Sequence, residues 1–397
     1  MYANPVKQAA GEARTPRAAL AGLDLVLLAA ALGLIAVSVY TLTMATQDDV
    51  PGSPLYYVLR QAVYGVVGLG LMLLVARFDL SRLREHQRVI YATMVGLIAL
   101  VFVVGVAARG SKRWIELPFF RFQPSELGKV LLILALSAFV VDRVRRLGNR
   151  DVTGRIVLLA LFPAILVVAQ PDLGSGLVYL AIAAVIMFVA GTKWTHLAAL
   201  AGAATASVLV ALLLAPAVGV EVLKPYQVDR LTAFVNPTDD PQKQGYQLRQ
   251  SITAIGAGQK LGRGPEGATQ TRLDFLPEHH TDFVFSVVGE QFGFLGAALV
   301  LSLYALLLWR ALRILTSAKN LYGALVAGGV TAMLMFQVFV NVGMTIGIMP
   351  ITGVPLPLMS YGGSSVFVTF LAIGLLQSVN AQARATELAK ARELAAA

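Results

Sequence analysis

Fifteen residues, Leu276-Pro277-Glu278-His279-His280-Thr281-Asp282-Phe283-Val284-Phe285-Ser286-Val287-Val288-Gly289-Glu290, set three carboxylates and two imidazoles against the start of a long apolar run. Titratable groups at the edge of an apolar segment are costly to hold near lipid and mark sites of binding or proton transfer. A carboxylate placed there can serve as general base for an incoming hydroxyl. Partial desolvation at a membrane surface raises a carboxylate's proton affinity toward the useful range. Asp282 stands at the head of the run and is the principal candidate. Capping of the next helix by Thr281 or Asp282 is the structural alternative, and it does not exclude catalysis. His279 and His280 lack the i, i+4 spacing of helical metal ligands, and neighbours in an extended loop point apart, so a metal held by both is not expected.

Three other clusters have chemistry to offer. In Arg113-Trp114-Ile115 through Gln123-Pro124-Ser125-Glu126-Leu127-Gly128-Lys129, Pro124 suits a first helical turn, which places Glu126 and Lys129 three apart on one helix face. The pair either contacts a ligand or neutralises itself in lipid. In Gln170-Pro171-Asp172-Leu173-Gly174-Ser175-Gly176, Asp172 is a helix cap, a functional carboxylate, or both. Gly353-Val354-Pro355-Leu356-Pro357-Leu358-Met359-Ser360-Tyr361-Gly362-Gly363-Ser364-Ser365 predicts non-helical backbone beside a wet cavity. Gln337 and Asn341 face that cavity or hydrogen-bond between helices.

The elements that must position these groups are membrane helices. A hydrophobic fraction of 57% with 14% charged residues excludes an ordinary soluble domain. Ten runs are long and apolar enough to be read as spans: 24–44, 57–76, 88–106, 124–141, 154–170, 173–190, 196–218, 282–309, 321–345 and 363–380. The fold class is therefore all-α and polytopic, with one long loop, 219–281, that carries helical stretches of its own at Tyr226–Phe234 and Tyr246–Ile255. A polar tail, 1–22, precedes the transmembrane domain, 23–380, and a polar helical tail, 381–397, follows it. The first run reads as an anchor, not a cleaved signal. With both termini inside, 19 of the 32 Lys and Arg but 8 of the 22 Asp and Glu lie on the inner side, and the positive-inside rule puts both termini in the cytoplasm. The net charge of +10 thus follows topology and calls for no nucleic-acid partner. Absence of cysteine excludes disulfides and thiolate chemistry. The glycines of Gly256-Ala257-Gly258 through Gly262-Arg263-Gly264 suit close approach to a phosphate or a plain turn.

The segments KRWIELPFFRFQPSELGK, QPDLGSG, KPYQVDRLTAFVNP, GYQLRQSITAIGAG, FLPEHHTDFVFSVVGEQFGFLG and GVPLPLMSYGGSS, in this order across ten runs, resemble the SEDS family of cell-wall proteins, and the last is nearer the family's RodA form than its FtsW form. Gly128 and Gln291 stand where Ala and Glu are expected. The resemblance implies a SEDS fold and a peptidoglycan glycosyltransferase that polymerises lipid II, the undecaprenyl-diphosphate-linked disaccharide-pentapeptide, during elongation. It also implies a class B penicillin-binding protein as partner within the elongation machinery. Asp282 matches the family's essential Asp. Substrate contacts are expected from Arg113, Trp114, Gln123, Ser125, Glu126, Lys129, Asp172, His280, Ser360 and Tyr361, with Glu126, Lys129 and Asp172 at sensitive positions. An apolar groove near Glu126 and Lys129 is expected to take the polyprenyl tail.

Transfer from an α-linked diphosphate to a sugar 4-hydroxyl with formation of a β-1,4 bond is an inversion. Glycosidases add a second carboxyl as acid for a poor leaving group, whereas a neutralised lipid diphosphate leaves readily. One carboxylate then suffices, with Arg113, Lys129, or a divalent cation (Mg or Mn) at Asp172 or Asp282 stabilising the leaving group. Two other readings stay open: a lipid II flippase, which needs polar groups spread through the bilayer depth, and a non-enzymatic scaffold. The clusters gather at the outer ends of runs, which favours the transferase.

Overall fold

The computed structural model describes residues 22–47, 49–108, 111–118, 120–214, 225–235 and 244–396. The apolar runs become α1 (Leu25–Ala45), α2 (Tyr56–Ala76), α3 (Gln87–Val104), α4 (Pro124–Val141), α5 (Arg150–Ala169), α6 (Leu173–Val189), α7 (Trp194–Leu209), α10 (Val284–Ser317), α11 (Leu321–Thr345) and α12 (Gly363–Ala396). Two loop helices, α8 (Pro225–Val235) and α9 (Gln244–Gly258), lie between α7 and α10 where the sequence places them. Among the described residues nine helices are long and apolar enough to cross a membrane, and α6 is a shorter apolar helix. Each of the ten expected runs has a helix, residues 215–218 of the seventh lying outside the described residues, and the chain is a multi-pass membrane protein.

The bundle has a buried centre. Most of the apolar stretches of α4, α11 and α12 are covered by other helices, whereas α3 is largely exposed and α7 has no fully buried residue. Exposed apolar faces are what lipid replaces with contact, so the bundle is sorted by burial, not by polarity. One end is closed by the Arg310–Asp24 ion pair together with the Asp24 N-cap on Leu27 and the Asp24 backbone N–H donating to Gln377 Oε1 at 2.7 Å. The other end holds every motif singled out above.

Three features were not legible in the sequence. The loop before α4 folds as a small antiparallel sheet, β1 (Val106–Ala108), β2 (Ser111–Glu116) and β3 (Arg121–Phe122). Glycines 258–264 are used against α10 and not as a free turn. Gly293 interrupts α10 at φ 63, and there the Gln259 and Lys260 carbonyls accept from Phe294 and Leu295 N–H at 2.8 and 3.2 Å. A Cβ on Gly262 would stand 2.1 Å from the Gln291 carbonyl oxygen, so only glycine permits that approach. Finally, α12 runs without a break through the polar C-terminal segment to Ala396, where a separate short helix is expected.

Candidate active site

The HHTD segment lies in a turn at Glu278, with φ 58, whose carboxylate accepts from the Thr281 hydroxyl at 3.0 Å. This turn delivers Asp282 to the mouth of α10, two residues before its first helical residue. The backbone around Asp282 is held from three sides. Asn341 Nδ2 on α11 donates to the Asp282 carbonyl at 3.0 Å and to the Val354 carbonyl at 2.9 Å. Ser360 Oγ donates to the Thr281 carbonyl at 2.6 Å and accepts from Leu356 N–H at 2.8 Å. Tyr361 N–H donates to the His280 carbonyl at 2.9 Å. Gly353 brings the Gly-Val-Pro-Leu-Pro loop against the Asp282 carboxylate, whose Oδ2 lies 3.6 Å from where a Cβ would stand.

A second cluster centres on Asp172. Its Oδ1 caps α6 by accepting Ser175 N–H at 3.0 Å, and its Oδ2 accepts from Gln123 Nε2 at 2.9 Å. Arg113 Nη1 stands 4.0 Å from the same oxygen. Gln123 Nε2 also reaches Ser125 Oγ at 3.1 Å. Asp172, Ser125 and Gln123 are buried, whereas Arg113 keeps 23% of its side chain exposed and its buried Nε makes no hydrogen bond. Trp114 follows Arg113 in β2, pairs with Val106 and points to the opposite face of the strand. Arg113 is therefore the cation of this cluster with access to a ligand.

Glu126 and Lys129 do not line a groove. Their side chains are 3% and 0% exposed, and Lys129 Nζ donates to Glu126 Oε1 at 2.5 Å. The reading in which the pair neutralises itself inside the bundle is the one the structure supports. Gly128 between them has its own reason: a Cβ there would sit 2.0 Å from the Tyr179 hydroxyl, which donates to the Ser125 carbonyl at 2.9 Å. Alanine, expected by resemblance, does not fit with this tyrosine in place.

The two clusters share a wall. Gly174 of the Asp172 segment packs on Thr352 and Val354, with a virtual Cβ 2.8 Å from the Thr352 carbonyl and 2.5 Å from Val354 Cγ2. Gln123 N–H donates to Ser364 Oγ at 2.9 Å, which ties the start of α4 to the start of α12. The residues of both clusters thus meet at one end of the bundle around the 352–354 loop. Ser360 is buried and spends its hydroxyl on backbone, so it positions the Asp282 loop instead of presenting to substrate. Tyr361 and His280 form an aromatic wall with Tyr57, the Tyr57 ring lying 4.6 Å from His280 and 4.8 Å from Tyr361.

Three contributors, Gln61, Arg230 and Asp49, escaped the sequence reading, and a fourth, Glu290, is counted there among the acids without a role. Gln61 on α2 donates to Ser38 Oγ at 3.1 Å and to the Ser360 carbonyl at 3.3 Å; a buried polar residue in an apolar run was its only signal. Arg230 on α8 donates to the Thr352 carbonyl at 3.0 Å, one residue from Gly353. Glu290 is fully buried and accepts from Gln270 N–H, Thr271 N–H and Thr271 Oγ1 at 2.8, 3.0 and 2.6 Å, so this acid anchors the long loop to α10. Asp49, in the loop between α1 and α2, pairs with His279 Nε2 at 3.2 Å and lies 3.8 Å from His280 Nδ1. The two histidines therefore converge instead of diverging as expected. Burial pulls the His279 pKa down, but the facing Asp49 carboxylate, the Leu276 carbonyl and Asp274 outweigh it and leave the pKa above the usual value.

A family model described as a cell cycle protein, covering FtsW, RodA and SpoVE, matches residues 21–385. A probable peptidoglycan glycosyltransferase FtsW of Thioalkalivibrio sulfidiphilus is 38% identical, over 90% of this chain and 88% of that protein. The peptidoglycan glycosyltransferase MrdB of Escherichia coli K12 is 34% identical, over 90% and 93%. Among solved structures, a chain of a peptidoglycan synthase complex that coordinates polymerization and crosslinking matches at TM-score 0.75 and 34% identity, over 90% of this chain and 97% of that chain. Thermus thermophilus RodA matches at 0.66 and 30%, over 90% and 96%. A match spanning all ten apolar runs and both clusters leaves one assignment: the chain belongs to the FtsW/RodA/SpoVE family, the SEDS proteins.

Proposed function

We propose that this chain is a peptidoglycan glycosyltransferase that polymerises lipid II, with Asp282 as the base. The observation that carries the reading is the placement of Asp282: one carboxylate at a helix mouth, its backbone pinned by Asn341, Ser360 and Tyr361. Such pinning fixes a catalytic group relative to its substrate before reaction, which is where positioning lowers a barrier. The 4-hydroxyl of the acceptor sugar gives its proton to Asp282 as its oxygen attacks the anomeric carbon of the donor. The bond from that carbon to the diphosphate breaks on the opposite face, and undecaprenyl diphosphate leaves with the electron pair. A base used in this way contributes about 10²–10⁴-fold.

Arg113, partly exposed and with an unused buried Nε, is the group proposed to neutralise the leaving diphosphate. Lys129 is withdrawn from that role by its burial against Glu126. A Mg or Mn ion accompanying the diphosphate is proposed at this end of the bundle; Asp172, whose two oxygens are engaged by N–H donors, is a poor ligand for it. The motif-bearing end is proposed to face outward from the bacterial cytoplasmic membrane, with both termini in the cytoplasm, as the distribution of Lys and Arg supports. A crosslinking partner, a class B penicillin-binding protein, is proposed on the likeness to a synthase complex. Relatives of the division and rod-shape branches match about equally well; the form of GVPLPLMSYGG supports elongation, and rounding of depleted rods, as against filaments, tests it. Purified protein given labelled lipid II, with and without its partner, makes a glycan ladder on this reading; translocation into vesicles with no ladder would establish a flippase instead.

A further inference from the structure

We infer that Asp49, His279 and His280 form a binding site for a transition-metal ion of the zinc class, joining the loop between α1 and α2 to the segment that carries Asp282. The inference stands apart from the transferase reading, since none of the three takes the acceptor proton or meets the leaving diphosphate in the proposed reaction.

Among the described residues, these three are the group of Asp, Glu and His whose ligand atoms converge, all lying within 4.8 Å of one another. His279 Nε2 is 3.2 Å and His280 Nδ1 3.8 Å from Asp49 Oδ2. Bonds of 2.0–2.1 Å in a tetrahedral shell place neighbouring ligand atoms about 3.3 Å apart, so small side-chain rotations bring all three onto one ion. The set contains two imidazoles and one carboxylate, a composition that suits zinc, cobalt or nickel better than the all-oxygen shell preferred by magnesium.

The second observation is the state of His279. The residue is 3% exposed, and its Nδ1 faces the Leu276 carbonyl at 3.2 Å. With the Nδ1 proton assigned to that carbonyl, Nε2 carries the lone pair. This is how a metal-ligating histidine is commonly oriented by a backbone acceptor. Nε2 is buried, makes no hydrogen bond, and confronts a carboxylate oxygen. A metal cation placed between the two would join them, and the contact as it stands lacks hydrogen-bond geometry. The Tyr57 ring packs against His280 at 4.6 Å with a tilt of 32°. The three residues border a cavity of about 320 Å³, also lined by Asp274 and Glu278, from which water can supply a fourth ligand. Because the His280 carbonyl accepts from Tyr361 N–H, an ion here would steady the segment that carries Asp282.

The test is Co²⁺ titration of the full-length, chelator-stripped protein in detergent, read by visible absorption, followed by displacement with Zn²⁺. The expected result is one equivalent of Co²⁺ giving the intense bands of a four-coordinate nitrogen–oxygen site, lost on adding Zn²⁺, with a Zn²⁺-dependent rise in melting midpoint. Asp49→Asn and His279→Gln are each expected to weaken binding by at least roughly 10–100-fold, the range for losing even a partner one shell further out. Asp172→Asn should bind as the parent does. The inference is overturned if the parent protein gives no stoichiometric Co²⁺ spectrum, if magnesium alone saturates the site, or if both variants bind Co²⁺ like the parent; the first two outcomes need no variant to fold.

Discussion

Replacing Lys129 by methionine removes the cation of the buried pair while nearly filling its volume. The side chains of Lys129 and Glu126 are 0% and 3% exposed and meet at 2.5 Å, so the variant strands a carboxylate in the centre of the bundle. Breaking such a pair from one side costs about 3–5 kcal/mol, whereas replacing both members with well-packed uncharged residues is often neutral or better. At roughly 2.1 cal/mol/K per residue, a cooperative unit of about 350 residues loses about 1.4 °C of melting midpoint per kcal/mol. Lys129→Met is therefore expected to melt about 4–7 °C lower, and Glu126→Gln/Lys129→Met to recover most of that loss. The assay is thermal unfolding in detergent followed by fluorescence-detected size exclusion, with glycan synthesis measured on the same preparations. A single variant that melts like the parent would refute the burial argument. A double variant that is stable yet makes no glycan would show that Lys129 touches the donor after all.

Other substitutions separate positioning from chemistry. Gly128→Ala is expected to destabilise by about 1–3 kcal/mol through overpacking against the Tyr179 hydroxyl, and Gly128→Ala/Tyr179→Phe to restore part of it, both read as melting midpoints. Ser360→Ala leaves the Leu356 N–H without its acceptor and is expected to cost about 1–3 kcal/mol, lowering polymer yield without altering substrate affinity. Arg113→Ala is expected to slow release of the diphosphate, and Arg113→Lys to restore it only in part, because a lysine gives no planar fork for phosphate; single-turnover assays on labelled lipid II measure both.

The spans were legible because each is a long apolar run bounded by polar or helix-breaking residues, and their ends fall within a few residues of expectation at Pro124, Leu173 and Leu321. The convergence of motifs at one end followed from the same alternation of direction. What the sequence left open depends on long-range pairing. The β1–β3 sheet has strands of three, six and two residues, too short for a period to register. Lys129 and Asp172 read alike as polar residues at helix starts, and only packing shows that one is sealed by Glu126 while the other orders Gln123 beside Arg113. Asp49 and His279 lie far apart in sequence, so nothing local announced that the two histidines share an acid.

The central claim, that Asp282 takes the acceptor proton, is tested most directly by Asp282→Asn. Asparagine keeps the shape of the side chain and leaves untouched the backbone contacts to Asn341 and to the loop bearing Ser360, so the variant should fold and bind its partner. With labelled lipid II the account predicts unchanged melting and partner co-purification but loss of the glycan ladder, by about 10²-fold or more. A ladder of normal length made at the parent rate by Asp282→Asn would contradict it.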